Sequence, residues 1–404
     1  MSRKTQPTLC VLDLGTSRTR VLAAVLEEDR LRFLAYAAQP SQGVQKGAVV
    51  NLQAASQGIA LAVEQAERQA GIHIEEVTLS LTGAHMRGLP NHATYSLAGR
   101  SREISQQDVQ HVLDLAQQME LPEGYELLHM RALEYILDRQ PGVRDPVGLV
   151  ATRLEARTLL ITGASGPVQN RVSAANMAGL KVQELLFTPL AAADALLQAE
   201  EREQGVALVE VGASCTGVLA VAQGAVQHAA VIAVGGDNFT RDVAIAFNTP
   251  LTAAEGMKHS FGQVLTAGMS ERAEIEAPGI GDHPSRMILH RQFCDHLRER
   301  AEELTHQIED DLRRSGWLHR LGAGIVLTGG GAVLGGFAEL MRQQLRLPVR
   351  IGVPPLLEGM SVEFAKPEFS FLLGGIMAAQ RRFRRRQEQP GLWQRFWSRL
   401  ETTS

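Results

Sequence analysis

Residues 13–23 read DLGTSRTRVLA, and residues 210–220 read EVGASCTGVLA. At a constant offset of 197 the two stretches share Gly15 with Gly212, Ser17 with Ser214, Thr19 with Thr216, and Val21-Leu22-Ala23 with Val218-Leu219-Ala220. Asp13 faces Glu210 in the same alignment. Each stretch follows an apolar run, LCVLDL or VALVEV, and each leads into a second one. Apolar, β-branched runs on both sides of a glycine-polar turn spell strand, turn, strand. That separates the pattern from the strand-to-helix turn of a P-loop or a dinucleotide-binding unit. A period near 200 residues predicts two duplicated α/β domains and excludes a solenoid of short units.

Outward from the repeat, the helical and strand signals agree with this. Residues 52–70 (LQAASQGIALAVEQAERQA) carry Ile59, Leu61, Ala62, Val63 and Ala66 at helical spacing, with Gly71 as a stop. VTLSLTG (77–83) reads as a buried strand. Residues 84–160 break the repeat and predict an insertion with its own small core, including a helix around Ser105–Glu120 that starts at Ser105-Gln106-Gln107-Asp108. Residues 285–315 read as one long charge-laced helix, and 324–340 (GIVLTGGGAVLGGFAEL) as strand, triple glycine, helix. Val211 to Gly236 holds no formal charge over 26 residues, but its five glycines predict a buried β-hairpin rather than a membrane span.

The chain has 404 residues, 45% of them hydrophobic and 21% charged, which suits a globular protein with several domains. Its formal charge of −4 is unevenly spread. From Arg381 to Ser404 seven Arg oppose two Glu, a net +5, so residues 1–380 carry a net −9. An acidic body argues against nucleic acid as a partner, and the basic end predicts a separate task. Cys10, Cys215 and Cys294 have neither disulfide nor metal-ligand spacing, so a reducing compartment is expected. MSRKTQPTLC has no long apolar run before Asp13, and no signal peptide is read there.

Asp13-Leu14-Gly15-Thr16-Ser17 suits phosphate. A glycine and small hydroxyl residues let backbone N–H groups close on phosphate oxygens, and a carboxylate at the strand end can hold Mg2+ through water. An ordinary β-turn is the alternative for one copy. Two facing copies, with Gly329-Gly330-Gly331 to accept a nucleoside, describe an ATP cleft. The Walker A, H-E-x-x-H and G-x-S-x-G motifs are all absent. Cys215 lacks the elbow spacing of a nucleophile and reads as a small core residue.

These residues carry a resemblance. Asp13-Leu14-Gly15-Thr16, VALVEVG, AVGGDNFTRDVA (233–244), AAEGMKHSFG (253–262) and GIVLTGGGAVLGGF (324–337) resemble the actin, Hsp70 and sugar-kinase superfamily. GAVVNLQAA (47–55), SLTGAHMRG (80–88), DPVG with RLEA (145–156), TPLAAADALL (188–197) and the RIGVPP to AKPEFSFLLGGIMAA stretch (350–379) are similar, in order, to the bacterial cell-division family FtsA. The resemblance implies an actin-like duplicated ATPase fold with a cleft and an FtsA-type inserted subdomain. It divides the chain into subdomain IA (1–83 and 161–197), IC (84–160), IIA (198–245 and 322–380) and IIB (246–321). A linker (381–390) and a membrane helix (391–404) would follow. By position Asp13, Gly15, Thr16, Ser17 and Arg18 would form the first phosphate loop, and Gly212, Ala213 and Ser214 the second. Gly235, Gly236 and Asp237 would lie near the phosphates, Glu255 and Lys258 would flank adenine and ribose, and Gly329 to Gly331 would seat the nucleoside. Read without the family, Glu255 and Lys258 are a surface ion pair. Asp13 and Glu210 would be the Mg2+ ligands. Glu210 replaces an Asp of the family pattern, Ala213-Ser214-Cys215 a glycine-rich run, and Arg18 a frequent Lys. Thr188 stands where hydrolysing relatives often have Glu or Gln. The expectation is nucleotide binding with slow or absent hydrolysis.

The last residues form a second constellation. At about 100° per residue, Leu392, Trp393, Phe396, Trp397 and Leu400 fall on one apolar arc, with Arg395 and Arg399 opposite. A short basic amphipathic helix with tryptophans suits an anionic lipid interface and cannot span a bilayer; docking on its own body or on a partner is the alternative. The resemblance implies a peripheral protein at the cytoplasmic face of the inner membrane, at the division septum. It would assemble with itself and bind the tail of FtsZ through Arg286 and Arg300. Later divisome proteins would meet residues 84–160. A soluble superfamily enzyme, a sugar kinase or phosphatase with a partner-docking tail, is the competing reading. A chaperone ATPase, the third, would need a substrate domain after the last glycine motif, where only about 70 residues remain.

Overall fold

The computed structural model describes residues 7–97 and 101–388. Both copies of the repeat form the expected antiparallel hairpin. Thr8–Leu14 pairs with Arg18–Glu27, placing Asp13 opposite Arg20, and Val206–Val211 pairs with Thr216–Ala222, placing Glu210 opposite Gly217. A third antiparallel strand follows in each half, Arg30–Pro40 or Ala225–Ile232. The open edge of the first strand then takes two parallel partners: Glu76–Leu81 and Lys181–Phe187 in the first half, Gly324–Thr328 and Val349–Ile351 in the second. Two five-stranded sheets therefore share one strand order. Parallel neighbours need crossovers, which the helices on the sheet faces supply. The uncharged run does contain a hairpin, turning at Gln223 and Gly224 with φ of 53° and 75°, the two left-handed residues that a tight hairpin turn requires.

The helix expected at 52–70 spans Leu52–Ala70. Asn51 caps its start by accepting from Ala54 N–H, and Gly71 ends it at φ 63°. Its Ile59, Ala62, Val63 and Ala66 are buried against the first sheet. The insertion is a four-stranded antiparallel sheet carrying the helix Gln106–Gln117. Ser105 and Asp108 cap that helix reciprocally, and Arg102 grips Asp108 with both terminal nitrogens. Its core, including Leu97, Val112, Leu154 and Ala156, is separate from those of the two halves. The insertion also leans on the second half, where Gly88 lies so close to Ala229 that a Cβ would stand 2.9 Å from its carbonyl oxygen.

Two expectations are corrected. The helix read from 285–315 begins with a strand, Arg286–Leu289, paired with Glu274–Ala277, and the helix is His290–Arg314. Ile288 belongs to the core in its strand register, so pairing overrides helical period there. Residues 370–380, assigned above to the second half, are the start of the helix Ser370–Glu388, which returns to the first sheet. Phe371, Leu372, Leu373 and Ile376 pack there with Leu9, Val11, Leu22 and Ala191. The helix also runs through most of the expected linker, and Arg381, Arg382 and Arg384 make ion pairs with Asp194, Glu184 and Asp29. The membrane-helix residues Leu392, Trp393, Arg395, Phe396, Trp397, Arg399 and Leu400 lie outside the described residues. No helix among the described residues is long and apolar enough to cross a membrane.

Candidate functional site

The two loops of the repeat are built alike and meet. Gly15 N–H donates to Arg18 O at 3.1 Å, and Gly212 N–H donates to Cys215 O at 2.9 Å. A Cβ at Gly15 would stand 2.8 Å from Arg18 O, closer than the turn allows unshifted, and one at Gly212 3.0 Å from Cys215 O, a tight fit. Ser41 holds the first loop by donating to Gly15 O. Across the gap between the halves, the Thr16 and Ser214 hydroxyls hydrogen-bond at 2.7 Å. Thr16 Oγ1 also accepts from Gly47 N–H.

The second loop rests on the turn that follows the hairpin. Gly236 N–H donates to Gly212 O and Asp237 N–H to Ala213 O. Gly235 packs beneath them, with a Cβ there only 2.6 Å from Gly212 O. Burial raises the Asp237 carboxyl above its usual range. Lys258 Nζ donates to Gly236 O at 3.0 Å and to Thr240 Oγ1 at 2.8 Å and pairs with Glu255 at 2.7 Å. The Glu255–Lys258 ion pair thus exists, but it braces the helix that carries the second loop. Burial works to raise the Glu255 carboxyl, yet the bonds from Lys258 and Thr240 bring it below its usual range. Gly329 and Gly331 pack on Val211, where a Cβ would come within 2.5 and 2.4 Å; Gly330 has open space around it. Only the middle glycine of the three presents a free face.

The two carboxylates read as Mg2+ ligands do not form a donor set. Magnesium takes oxygen ligands in a near-octahedral shell, usually one or two carboxylates with waters and phosphates. Asp13 Oδ2 is occupied by Arg20, Nε at 3.0 Å and Nη2 at 2.5 Å. Arg20 is always protonated, so a dication at Asp13 would face a fixed like charge. Glu210 Oε2 accepts from Thr188 Oγ1 at 2.7 Å, and burial pushes its carboxyl up to about 7, near half-protonated at neutral pH. Among the described residues no group of three or more His, Cys, Asp or Glu could hold a metal ion.

Arg171 was missed by the sequence reading. Fully buried, it donates to Gly47 O, Ser80 O and Thr82 O and has no carboxylate partner among the described residues. Burial lowers its pKa, so the site holds a costly positive charge. At Gly47 it holds the carbonyl of the same residue whose N–H donates to Thr16, behind the meeting point of the loops. A lone Arg at the head of the mostly small and apolar stretch RVSAANMAGL (171–180) was the available signal. Cys215 is buried beside Thr82, and burial raises its thiol pKa, as suits a core residue.

Arg286 and Arg300 lie away from the loops, at the far end of the helix Gly236–Ala246. Arg286 donates to Phe247 O, and Arg300 grips both carboxylate oxygens of Asp242. Arg18 is exposed at the start of its strand.

Comparison with known proteins decides the family. A model described as cell division protein FtsA matches residues 207–374, and one described as the SHS2 domain inserted in FtsA matches residues 83–162. The cell division protein FtsA of Pseudomonas aeruginosa is 34% identical over 91% of this chain and 88% of its own. The chain belongs to the FtsA family. It is therefore an actin-like cell-division protein, and the soluble sugar kinase or phosphatase reading falls. Two solved structures share the fold at low identity. A PilM–PilN type IV pilus biogenesis complex superposes with a TM-score of 0.66 at 19% identity, covering 92% of this chain and 98% of its own. MreB5 of Spiroplasma citri bound to ADP does so with 0.56 at 13%, covering 96% and 99%. The FtsA insertion matched at 83–162 coincides with the segment that breaks the internal repeat.

Proposed function

We propose that this FtsA-family chain binds adenine nucleotide between its two loops, assembles with copies of itself at the cytoplasmic face of the membrane, and anchors FtsZ there. The observation that carries the nucleotide reading is the meeting of two equivalent glycine turns, Thr16 on Ser214, in front of the buried Arg171 cation. Nucleotide phosphates would add negative charge near this guanidinium, on which only Asp13 acts as a carboxylate among the described residues, and Gly330 leaves room on the nucleoside side.

The tail of FtsZ, acidic and extended, would dock on the subdomain around the helix His290–Arg314. Arg300 is committed to Asp242 and serves there by shaping the surface; Arg286 and the exposed Ile245 and Met287 offer the contact. Residues 84–160 would meet later divisome proteins. Membrane attachment would come from residues 391–404, immediately after an arginine-rich helix end whose Arg381 and Arg384 are paired with the body. Flotation with anionic liposomes tests the anchor: the full chain should float and carry FtsZ filaments with it. A chain lacking residues 391–404 should remain at the bottom while still binding FtsZ in solution. Unchanged flotation of the truncated chain would refute the anchor.

A further inference from the structure

We propose that the Arg20 guanidinium takes the place of a divalent cation at the base of the cleft, so that this chain binds adenine nucleotide without Mg2+. The inference rests on the nucleotide reading above and extends it to the chemistry of the bound species, free nucleotide instead of its metal complex.

Arg20 stands directly across the first hairpin from Asp13, the strand-end carboxylate from which a metal would be held. Two of its nitrogens bind Asp13 Oδ2, and the third, Nη1, donates to Glu368 O at 2.7 Å. Three contacts on a planar fork fix both position and orientation. The charge is thus preorganised, with its side chain only 17% exposed. Asp13 in turn is neutralised by a group that neither exchanges nor deprotonates.

The second half shows that this is a local device and not a property of the repeat. The position equivalent to Arg20 is Gly217, opposite Glu210. Pro189 fills that space, leaving a Cβ only 2.3 Å from its Cγ. Glu210 is left with a hydroxyl partner, Thr188, and forms no ion pair among the described residues. One guanidinium therefore serves a cleft floor that has two carboxylates, and other protein cations stand around the loops. Arg171 lies behind the loops and Lys258 beside Gly236, with Arg18 at the loop's end. The exposed Arg18 can meet phosphate directly, while Arg171 and Lys258 contribute the charge they hold behind the loops.

The test is equilibrium binding of an ATP analogue with a ribose-linked fluorophore to the full chain, in excess Mg2+ and in EDTA. The expected dissociation constants agree within about threefold. A loss of about tenfold or more on chelation would overturn the inference while leaving nucleotide binding intact. No binding in either buffer would overturn the nucleotide reading and this inference with it. Arg20→Ala releases Asp13 and should convert the protein to Mg2+-dependent binding; a chelation-insensitive Arg20→Ala would refute the role of Arg20. Arg20→Lys, the variant to use if Arg20→Ala does not fold, keeps the charge and should stay insensitive to EDTA. Sensitivity in Arg20→Lys would count against the proposal.

Discussion

Arg171 reaches three backbone carbonyls at once, and a residue that cannot donate would strand all of them. Leaving a buried acceptor unpaired costs about 1–3 kcal/mol. Arg171→Met should therefore lower stability by roughly 3 kcal/mol or more and weaken nucleotide binding, because Gly47, whose N–H positions Thr16, loses its tether. Thermal melts with and without ATP measure both effects. His129 gives a pH dependence of known sign. It is half-buried, its Nε2 accepts from Phe187 N–H, and desolvation pulls its pKa down to about 3. The imidazole is neutral in the fold, so above about pH 6.5, its unfolded value, it costs nothing. As pH falls from there toward 3, the unfolded chain gains a proton that the fold refuses. Stability then drops by up to about 1.4 kcal/mol per pH unit from this group. His129→Gln keeps an acceptor and should flatten that part of the profile, as urea unfolding at pH 7.5 and 5 would reveal.

Among the elements, the closing helix Ser370–Glu388 depends on a close crossing. Gly374 packs against the helix Thr188–Leu196, and a Cβ there would stand 1.9 Å from Ala191 O; at the adjacent Gly375 it would meet only Val11 methyl groups at 3.0–3.1 Å. Gly374→Ala should destabilise by several kcal/mol, about as other overpacked cores do or more, and Gly375→Ala by clearly less, read as melting temperatures. Gly330→Ala should leave the melting temperature unchanged and weaken nucleotide binding, unlike Gly329→Ala, which drives a Cβ into Val211 O. Elements with strong local signals were legible beforehand. Asn51 and Gly71 bound the first helix, Ser105 and Asp108 start the insertion's helix, and glycine turns mark both hairpins. The strand Arg286–Leu289 was not, because its pairing partner Glu274–Ala277 is set by tertiary contact and its residues also fit a helix.

At the scale of the whole molecule, the halves are joined by elements that belong to both. The helix Thr188–Leu196 is buried against the second sheet through Leu190, Ala192 and Ala193 and against the closing helix through Ala191. Thr188, at its start, spends its hydroxyl on Glu210. A hydroxyl spent in this way is a poor group to orient an attacking water, which phosphoryl transfer requires. Purified protein should accordingly turn over ATP far more slowly than active ATPases of this fold, and Thr188→Glu alone should not restore turnover, since it would place a second carboxylate against Glu210. A phosphate-release assay checks both.

The sequence by itself determined the duplication, the two glycine turns, the insertion, the uneven charge and the family resemblance. All of these rest on local patterns, a turn that needs glycine, a cap, an alternation, repeated at a readable offset. Tertiary structure alone decided that Asp13 is bound by Arg20, that Arg171 lies behind the two glycine loops, that Thr16 meets Ser214, and that residues 370–380 serve the first half. Each of these joins groups by distance in space, where burial raises the cost of an unpaired charge and so fixes its partner. Charge counting along the chain had set an acidic body against a basic end. Inside that body, folding places the Arg20 guanidinium on the carboxylate where the sequence had suggested a metal.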